Sequence, residues 1–229
     1  MRTIGILGGM AWPSTGSLYR MLNELVVDRL GGHHSARCIV SSVEFSEIEA
    51  LQRTGQWHEA GELLASYARG LERAGAECVV LGTNTMHKVA PAIQDAIDIP
   101  FLHVVDAVAE ALERIDVATA GLLGTRFTMA ENFYVDLLAE RGITALVPDA
   151  KGQDDVHAVI FDDLLHGRTP AAGRQRYCEV MADLKEAGAG AIILGCTEIG
   201  LLVESCDCCI PMIDTTVEQA RAAVDWALA

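Results

Sequence analysis

The strongest constraint in this 229-residue sequence is that it nearly repeats itself. The stretch Leu71-Glu-Arg-Ala-Gly-Ala-Glu-Cys-Val-Val-Leu-Gly82 matches Leu184-Lys-Glu-Ala-Gly-Ala-Gly-Ala-Ile-Ile-Leu-Gly195, 113 positions later, with six of twelve residues identical. Gly5-Ile-Leu-Gly8 recurs as Gly121-Leu-Leu-Gly124. Repetition on this scale describes two half-length copies of one αβ design, not a short-period solenoid. In each copy a helix ends at an Ala-Gly pair, where Gly75 or Gly188 can adopt the left-handed capping conformation. A strand of Val, Ile and Leu follows and stops at a Gly that permits a sharp turn. Small polar residues come next, Thr83-Asn84-Thr85 in one copy and Cys196-Thr197-Glu198 in the other. Ligands of open α/β sheets bind at the carboxyl ends of strands. If the copies face each other, Thr83 and Cys196 lie opposite across one cleft.

The rest of the chain alternates strands and helices at lengths that predict parallel sheets covered on both faces. The fold class is therefore α/β, as two pseudo-symmetric lobes, each a parallel sheet flanked by helices. Strands are expected at 3–7, 38–43, 78–81, 101–104, 117–123, 143–147 and 210–213. Ser14 or Thr15 is placed to cap a helix running to Leu30, and 44–55 reads as a polar connection. Helices are expected at 57–74, 128–141, 154–165 and 170–187. Thr169-Pro170 forms a cap with a first-turn proline, and Thr215 to Glu218 is a capping-box pattern opening a terminal helix.

Half of the residues are apolar, enough for a full core, and the formal charge is −15. That charge argues against nucleic acid as a partner, whose phosphates it repels. A small anionic substrate is still allowed, because charges beyond about 8 Å are largely screened. Seven cysteines, an odd number without scaffold spacing, point to a reduced compartment. Met1-Arg2-Thr3 leads straight into a glycine-punctuated strand, unlike a secretory leader, and no apolar run approaches the ~20 residues of a spanning helix. The expectation is a soluble cytoplasmic protein without a membrane partner.

Gly5-Ile-Leu-Gly8-Gly9-Met10 fails the spacing of the dinucleotide fingerprint. It is either a plain tight turn or a ligand-facing one, and its recurrence at Gly124-Thr125 favours the second. Cys206-Asp-Cys208-Cys209 has no second pair or His cluster to complete a zinc site, so no metal is expected. Cys196 follows a strand-ending Gly and is expected to open a helix, where free N–H groups and the macrodipole would lower its pKa. His87, four residues after Thr83, would share its helical face and support the site. Glu198 would do the same beside Cys196. Either residue could instead be a structural hydrogen-bonder.

Taken together, Ile4-Gly-Ile-Leu-Gly-Gly-Met10, Thr83-Asn-Thr-Met-His87, Gly121-Leu-Leu-Gly-Thr125 and Gly195-Cys-Thr-Glu198 resemble the aspartate/glutamate racemase family across nearly the whole chain. The resemblance implies cofactor-independent chemistry, paired lobes, a homodimer, and a C-terminal helix that packs back on the first lobe. It divides the chain into 1–98 plus 209–229 and 99–208. The family's usual pattern has a cysteine on each side of the cleft; here the second is Cys196 and the first position is Thr83. A branch acting on acidic L-amino acids looks like this, with a tryptophan placed as Trp12 is. Gln52 stands near where many aspartate racemases carry an arginine for the side-chain carboxylate.

These readings converge on a racemase that removes a proton from Cα of aspartate or glutamate and returns one to the other face. Cys196 and Thr83 would be catalytic. Asn84, Thr85 and Thr197, with N–H groups of the two turns, would hold the α-carboxylate, and Met10, Thr125 and Gln52 would complete the substrate site. A pyridoxal mechanism needs a Schiff-base lysine, and none of Lys88, Lys151 and Lys185 sits at a convincing strand end. Two rivals remain, a one-thiol decarboxylase or isomerase of a small dicarboxylate, and a silent binder of acidic metabolites.

Overall fold

Strand β1 (Ile4–Gly8) is five residues without a charge, all buried, the pattern of an interior strand in a parallel sheet. In the computed structural model, which describes residues 1–229, it pairs in parallel with β2 (Cys38–Ser42) and with β3 (Cys78–Leu81). A two-residue strand β4 (Phe101–Leu102) completes the order β2-β1-β3-β4. The second half repeats the arrangement with β5 (Thr119–Gly124), β6 (Thr144–Leu146), β7 (Ala191–Gly195) and β8 (Met212–Asp214), ordered β6-β5-β7-β8 and again all parallel. The repeat in sequence is thus a repeat in topology, with β1 and β3 equivalent to β5 and β7.

The chain divides into two compact units, 1–107 with 216–229, and 108–215. The crossings expected near Ile99 and Cys209 both move downstream, for the same reason. Phe101–Leu102 is still hydrogen-bonded to β3, and Met212–Asp214 to β7, so the chain leaves each sheet only after its last strand. The first crossing falls inside α5 (Val104–Arg114), the second at the start of α10 (Thr215–Leu228). In the first unit α10 places Ala220, Ala223, Val224 and Ala227 in one buried cluster with Ile4, Ile6, Leu18, Leu22 and Val80. In the second unit α9 (Ala171–Glu186) presents Tyr177, Val180, Met181 and Leu184 to a core shared with Leu123, Ile192 and Leu194.

Several boundaries differ from the sequence reading. Helix α1 (Trp12–Leu30) begins with Pro13 in its first turn and Ala11 as cap. Thr15 therefore lies inside the helix, where its hydroxyl accepts the Gly9 N–H at 2.8 Å. The polar connection 44–55 contains a helix, α2 (Phe45–Arg53), whose Phe45, Ile48 and Leu51 pack at helical spacing into the core that α3 (Trp57–Arg73) also covers. The helix expected over 128–141 is split by extended Glu131 into α6 (Arg126–Ala130) and α7 (Asn132–Glu140). That expected over 154–165 starts earlier, as α8 (Ala150–Ala158), and loosens into a π turn at Val159–Asp163. No helix is long and apolar enough to cross a membrane.

Glycine is required where backbones meet. Gly9 has φ +97°, and a Cβ there would lie 2.4 Å from the Val43 carbonyl oxygen and 2.5 Å from its nitrogen. Gly16, inside α1, has open space around it. Gly9→Ala is therefore expected to destabilise the chain by about 2–4 kcal/mol, from overpacking plus backbone strain. Gly16→Ala should stabilise it by roughly 0.5–1 kcal/mol. Urea unfolding of the two variants checks both signs.

Candidate active site

The first unit brings Thr83 to the carboxyl edge of its sheet. Gly82 N donates to the Leu7 carbonyl at 2.9 Å and Thr83 N to Leu81 at 2.8 Å, so the chain turns out of β3 immediately. Residues Thr85–Val89 then form a 3₁₀ turn, followed by a five-residue helix α4 (Ala90–Gln94). The reading of 83–96 as loop and helix takes this form, and the 3₁₀ turn does not run on into α4 as one regular helix, since Pro91 has no N–H to give the His87 carbonyl. Asn84 and Thr85 are buried at 5% and 8% exposure, at the start of this turn. Met10 packs its side chain into the same apolar cluster as Met86. Gln52, on α2, reaches the segment through its amide, 2.8 Å from the Met86 sulfur.

His87 is a strut under Thr83. Its Nδ1 lies 2.8 Å from the Thr83 carbonyl oxygen, and its Nε2 accepts the Val104 N–H at 3.2 Å. A carbonyl can only accept and an N–H can only donate, so the ring is the neutral Nδ1–H tautomer. Burial, reinforced by His103 packed edge-on at 4.5 Å, holds its pKa well below the ordinary 6.5.

The second unit places Thr125 and Cys196 after neighbouring strand ends, since Gly124 and Gly195 are register partners. A Cβ on Gly195 would lie 2.8 Å from the Leu123 carbonyl oxygen, and one on Gly124 3.0 Å from the Gly195 carbonyl oxygen. Both strands therefore end on residues without side chains. Thr125 caps α6, its hydroxyl facing the Thr128 N–H at 3.4 Å. Cys196 is half-buried and donates its S–H to Glu198 Oε2 at 3.1 Å, while the Thr197 hydroxyl donates to the same oxygen at 2.6 Å. Glu198 is 5% exposed.

This geometry reverses the expected effect on Cys196. Only a three-residue 3₁₀ turn, Ile199–Leu201, follows it, centred on Gly200, a poor helix former. A Cβ on Gly200 would lie 2.6 Å from Asp214 Oδ2. Without a helix there is no macrodipole to favour the thiolate. Burial pushes the thiol well above its usual 9.0, the Glu198 carboxylate and then Asp214 push the same way, and only the Glu198 N–H opposes them. Asp214 escaped the sequence reading, although its place just after the apolar run Ile210–Ile213 is the usual address of a site residue. No group of three His, Cys, Asp or Glu side chains is arranged to hold a metal ion.

Two equivalent parallel sheets, each closing its third apolar run at a glycine followed by Thr83 or Cys196, and one of them setting a half-buried thiol against a buried carboxylate, define an internally repeated α/β protein. The chain belongs to the Asp/Glu/hydantoin racemase family, whose model matches residues 7–223, and is an isomerase. It is 44% identical to a Yersinia pestis protein provisionally named an Asp/Glu racemase, over 100% of both chains with a TM-score of 0.95. An aspartate racemase homologue from Pyrococcus horikoshii is 29% identical over 100% of both chains, with a TM-score of 0.88. The broad specificity amino-acid racemase RacX of Bacillus subtilis is 27% identical over 161 residues, covering 69% of this chain and 68% of that one.

Two outcomes follow. Alkylation of Cys196 by iodoacetamide, followed by peptide mass spectrometry, should rise about tenfold per pH unit up to beyond pH 9, since only the thiolate reacts. Glu198→Gln removes a negative neighbour and should move that profile to lower pH; an unchanged profile would refute the electrostatic coupling. For His87, the unfolded chain takes up a proton as pH falls through 6.5 while the folded chain does not. Its contribution to stability is present at neutral pH and lost on acidification, by up to about 1.4 kcal/mol per pH unit. His87→Gln should remove that slope, so parallel pH profiles of wild type and variant in urea unfolding would contradict it.

Proposed function

We propose that this protein racemises an acidic amino acid, aspartate or glutamate, with Cys196 and Thr83 serving opposite faces of Cα. The observation that carries the reading is the half-buried Cys196 S–H resting on the buried Glu198 carboxylate at 3.1 Å. For Cys196 to act as base its proton moves to Glu198, and the thiolate so formed takes the α-proton. For it to act as acid the resting thiol delivers its proton directly. Thr83, at the topologically equivalent strand end, supplies or accepts the other proton itself or through a water it holds. A hydroxyl is a far poorer base than a thiol, so removal from the Thr83 face is the slower chemical step. Asn84, Thr85, Thr125 and Thr197, with backbone N–H groups of the two turns, hold the α-carboxylate as charge grows on it. No electron sink beyond these groups is invoked, and the active form is a homodimer.

The experiment is incubation of separate L- and D-aspartate and glutamate in D₂O without added cofactor, read by chiral chromatography and mass. Each product enantiomer should carry one solvent deuterium. Enantiomers have equal free energy, so kcat/KM must agree in the two directions and the asymmetry appears in kcat and KM separately. The lower kcat belongs to the enantiomer whose proton faces Thr83. Cys196→Ala should cost about 10²–10⁴-fold in kcat. Thr83→Cys should bring the two kcat values together. Loss of activity on both enantiomers in Thr83→Cys would sink the assignment of Thr83, and release of CO₂ without racemisation would replace the racemase by a decarboxylase.

A further inference from the structure

We propose that Cys206 and Cys209, on the connection between Cys196 and β8, form a reversible dithiol–disulfide site that exchanges with small zwitterionic disulfides. All cysteines are free, and these two are exposed. They stand in C-x-x-C spacing, the arrangement of exchangeable thiol pairs. Ser205–Asp207 is a 3₁₀ turn and Cys208 is extended, with φ −130° and ψ 139°. A helical residue followed by an extended one is the pattern of a type VIII turn, whose ends lie within about 7 Å of each other. A disulfide spans Cα atoms about 4.4–6.8 Å apart.

The turn is fastened. Asp207 Oδ2 accepts the Glu204 N–H at 2.8 Å and Arg174 Nε at 2.7 Å, and Arg174 Nη2 also donates to Glu204 Oε2 at 3.2 Å. Beside it lies a cavity of about 250 Å³ lined by Cys209, Cys208, Cys178 and Met181, with Lys185, Glu186 and Asp207, the last already paired with Arg174. With Asp207 so occupied, the Lys185 ammonium and the Glu186 carboxylate around sulfur-bearing residues match a zwitterionic thiol compound, and Cys209 is part of the lining.

The chemistry balances within the pair and the incoming disulfide. Cys209 thiolate attacks one sulfur of the small disulfide, forming a mixed disulfide and expelling a thiolate, which takes up a proton. Cys206, whose S–H faces Glu204 Oε2 at 3.7 Å, gives its proton to that carboxylate and attacks the Cys209 sulfur. The second small thiolate leaves and takes up the proton that Glu204 received, which returns Glu204 to its carboxylate form. Two protein thiols are oxidised and one external disulfide is reduced to two thiols.

The test treats the reduced full-length chain with oxidised glutathione, quenches in acid and maps peptides without reduction. Wild type should give a Cys206–Cys209 link and two released thiols per chain. Cys206→Ser should stop at a glutathione adduct on Cys209. Lys185→Ala should slow exchange with oxidised glutathione and leave exchange with neutral hydroxyethyl disulfide unchanged. A link between Cys208 and Cys209, an adduct confined to Cys178 or Cys208, or a wild-type chain that stops at the adduct would each overturn the proposal.

Discussion

Two facing backbones that tolerate no side chain set the rest of this structure. At the ends of β5 and β7, Gly124 and Gly195 approach so closely that a methyl on either would strike a carbonyl oxygen about 3 Å away. β1 ends likewise on Gly8, where a Cβ would lie 2.5 Å from the Thr15 side chain, whereas Gly82, just after β3, has only ordinary contacts around it. Because the central strands finish on bare backbone, the next residue is turned out at the carboxyl edge. Thr83 and Cys196 occupy that place in their respective units. Packing chemistry and site chemistry are thus adjacent in sequence but separate in cause: the glycines answer to steric contact, and the polar residues after them are free to vary.

That freedom has been used asymmetrically. Under Thr83 the support is His87, buried and neutral, joined to two backbone groups. Beside Cys196 it is Glu198, an acceptor that also takes the Thr197 hydroxyl. Two negative charges held this close repel strongly where little water screens them. A thiolate next to the Glu198 carboxylate is therefore disfavoured, and Asp214 adds to the penalty. The stable arrangement is S–H against carboxylate, with one proton shared by the pair. In the proposed reaction the sulfur would start as an acid and would become a base only once Glu198 holds the proton.

The sequence announced the doubled α/β fold because duplication leaves a record that survives divergence, Leu-x-x-Ala-Gly-Ala followed by a four-residue apolar run and Gly. It also places Thr83 and Cys196 at matched positions of that record, each just beyond a strand at the carboxyl edge of its sheet. What it concealed was set by contacts between distant segments. Strands at 101–104 and 210–213 are legible as apolar runs, but that each pairs into the sheet it closes, and so carries the crossing downstream, depends on contacts with β3 and β7 far away in sequence. Helix α2 was masked by its many polar residues, although Phe45, Ile48 and Leu51 keep helical spacing. The Cys196 thiol is pushed up, where the sequence points to a lowered value, because burial and the Glu198 carboxylate are invisible along the chain and Gly200, close against Asp214, allows only a single turn in place of a helix.

The same comparison separates architecture from reactivity in a duplicated protein. Symmetric topology guarantees equivalent addresses, not equivalent groups, and reactivity is decided within a few ångströms of each address. A neutral imidazole that donates to a carbonyl fixes the Thr83 backbone without changing the local charge. A carboxylate that accepts from a thiol fixes the side chain and changes its proton affinity. One half thereby fixes a backbone and the other sets the proton affinity of a side chain, a difference that the six residues shared by Leu71–Gly82 and Leu184–Gly195 do not reveal.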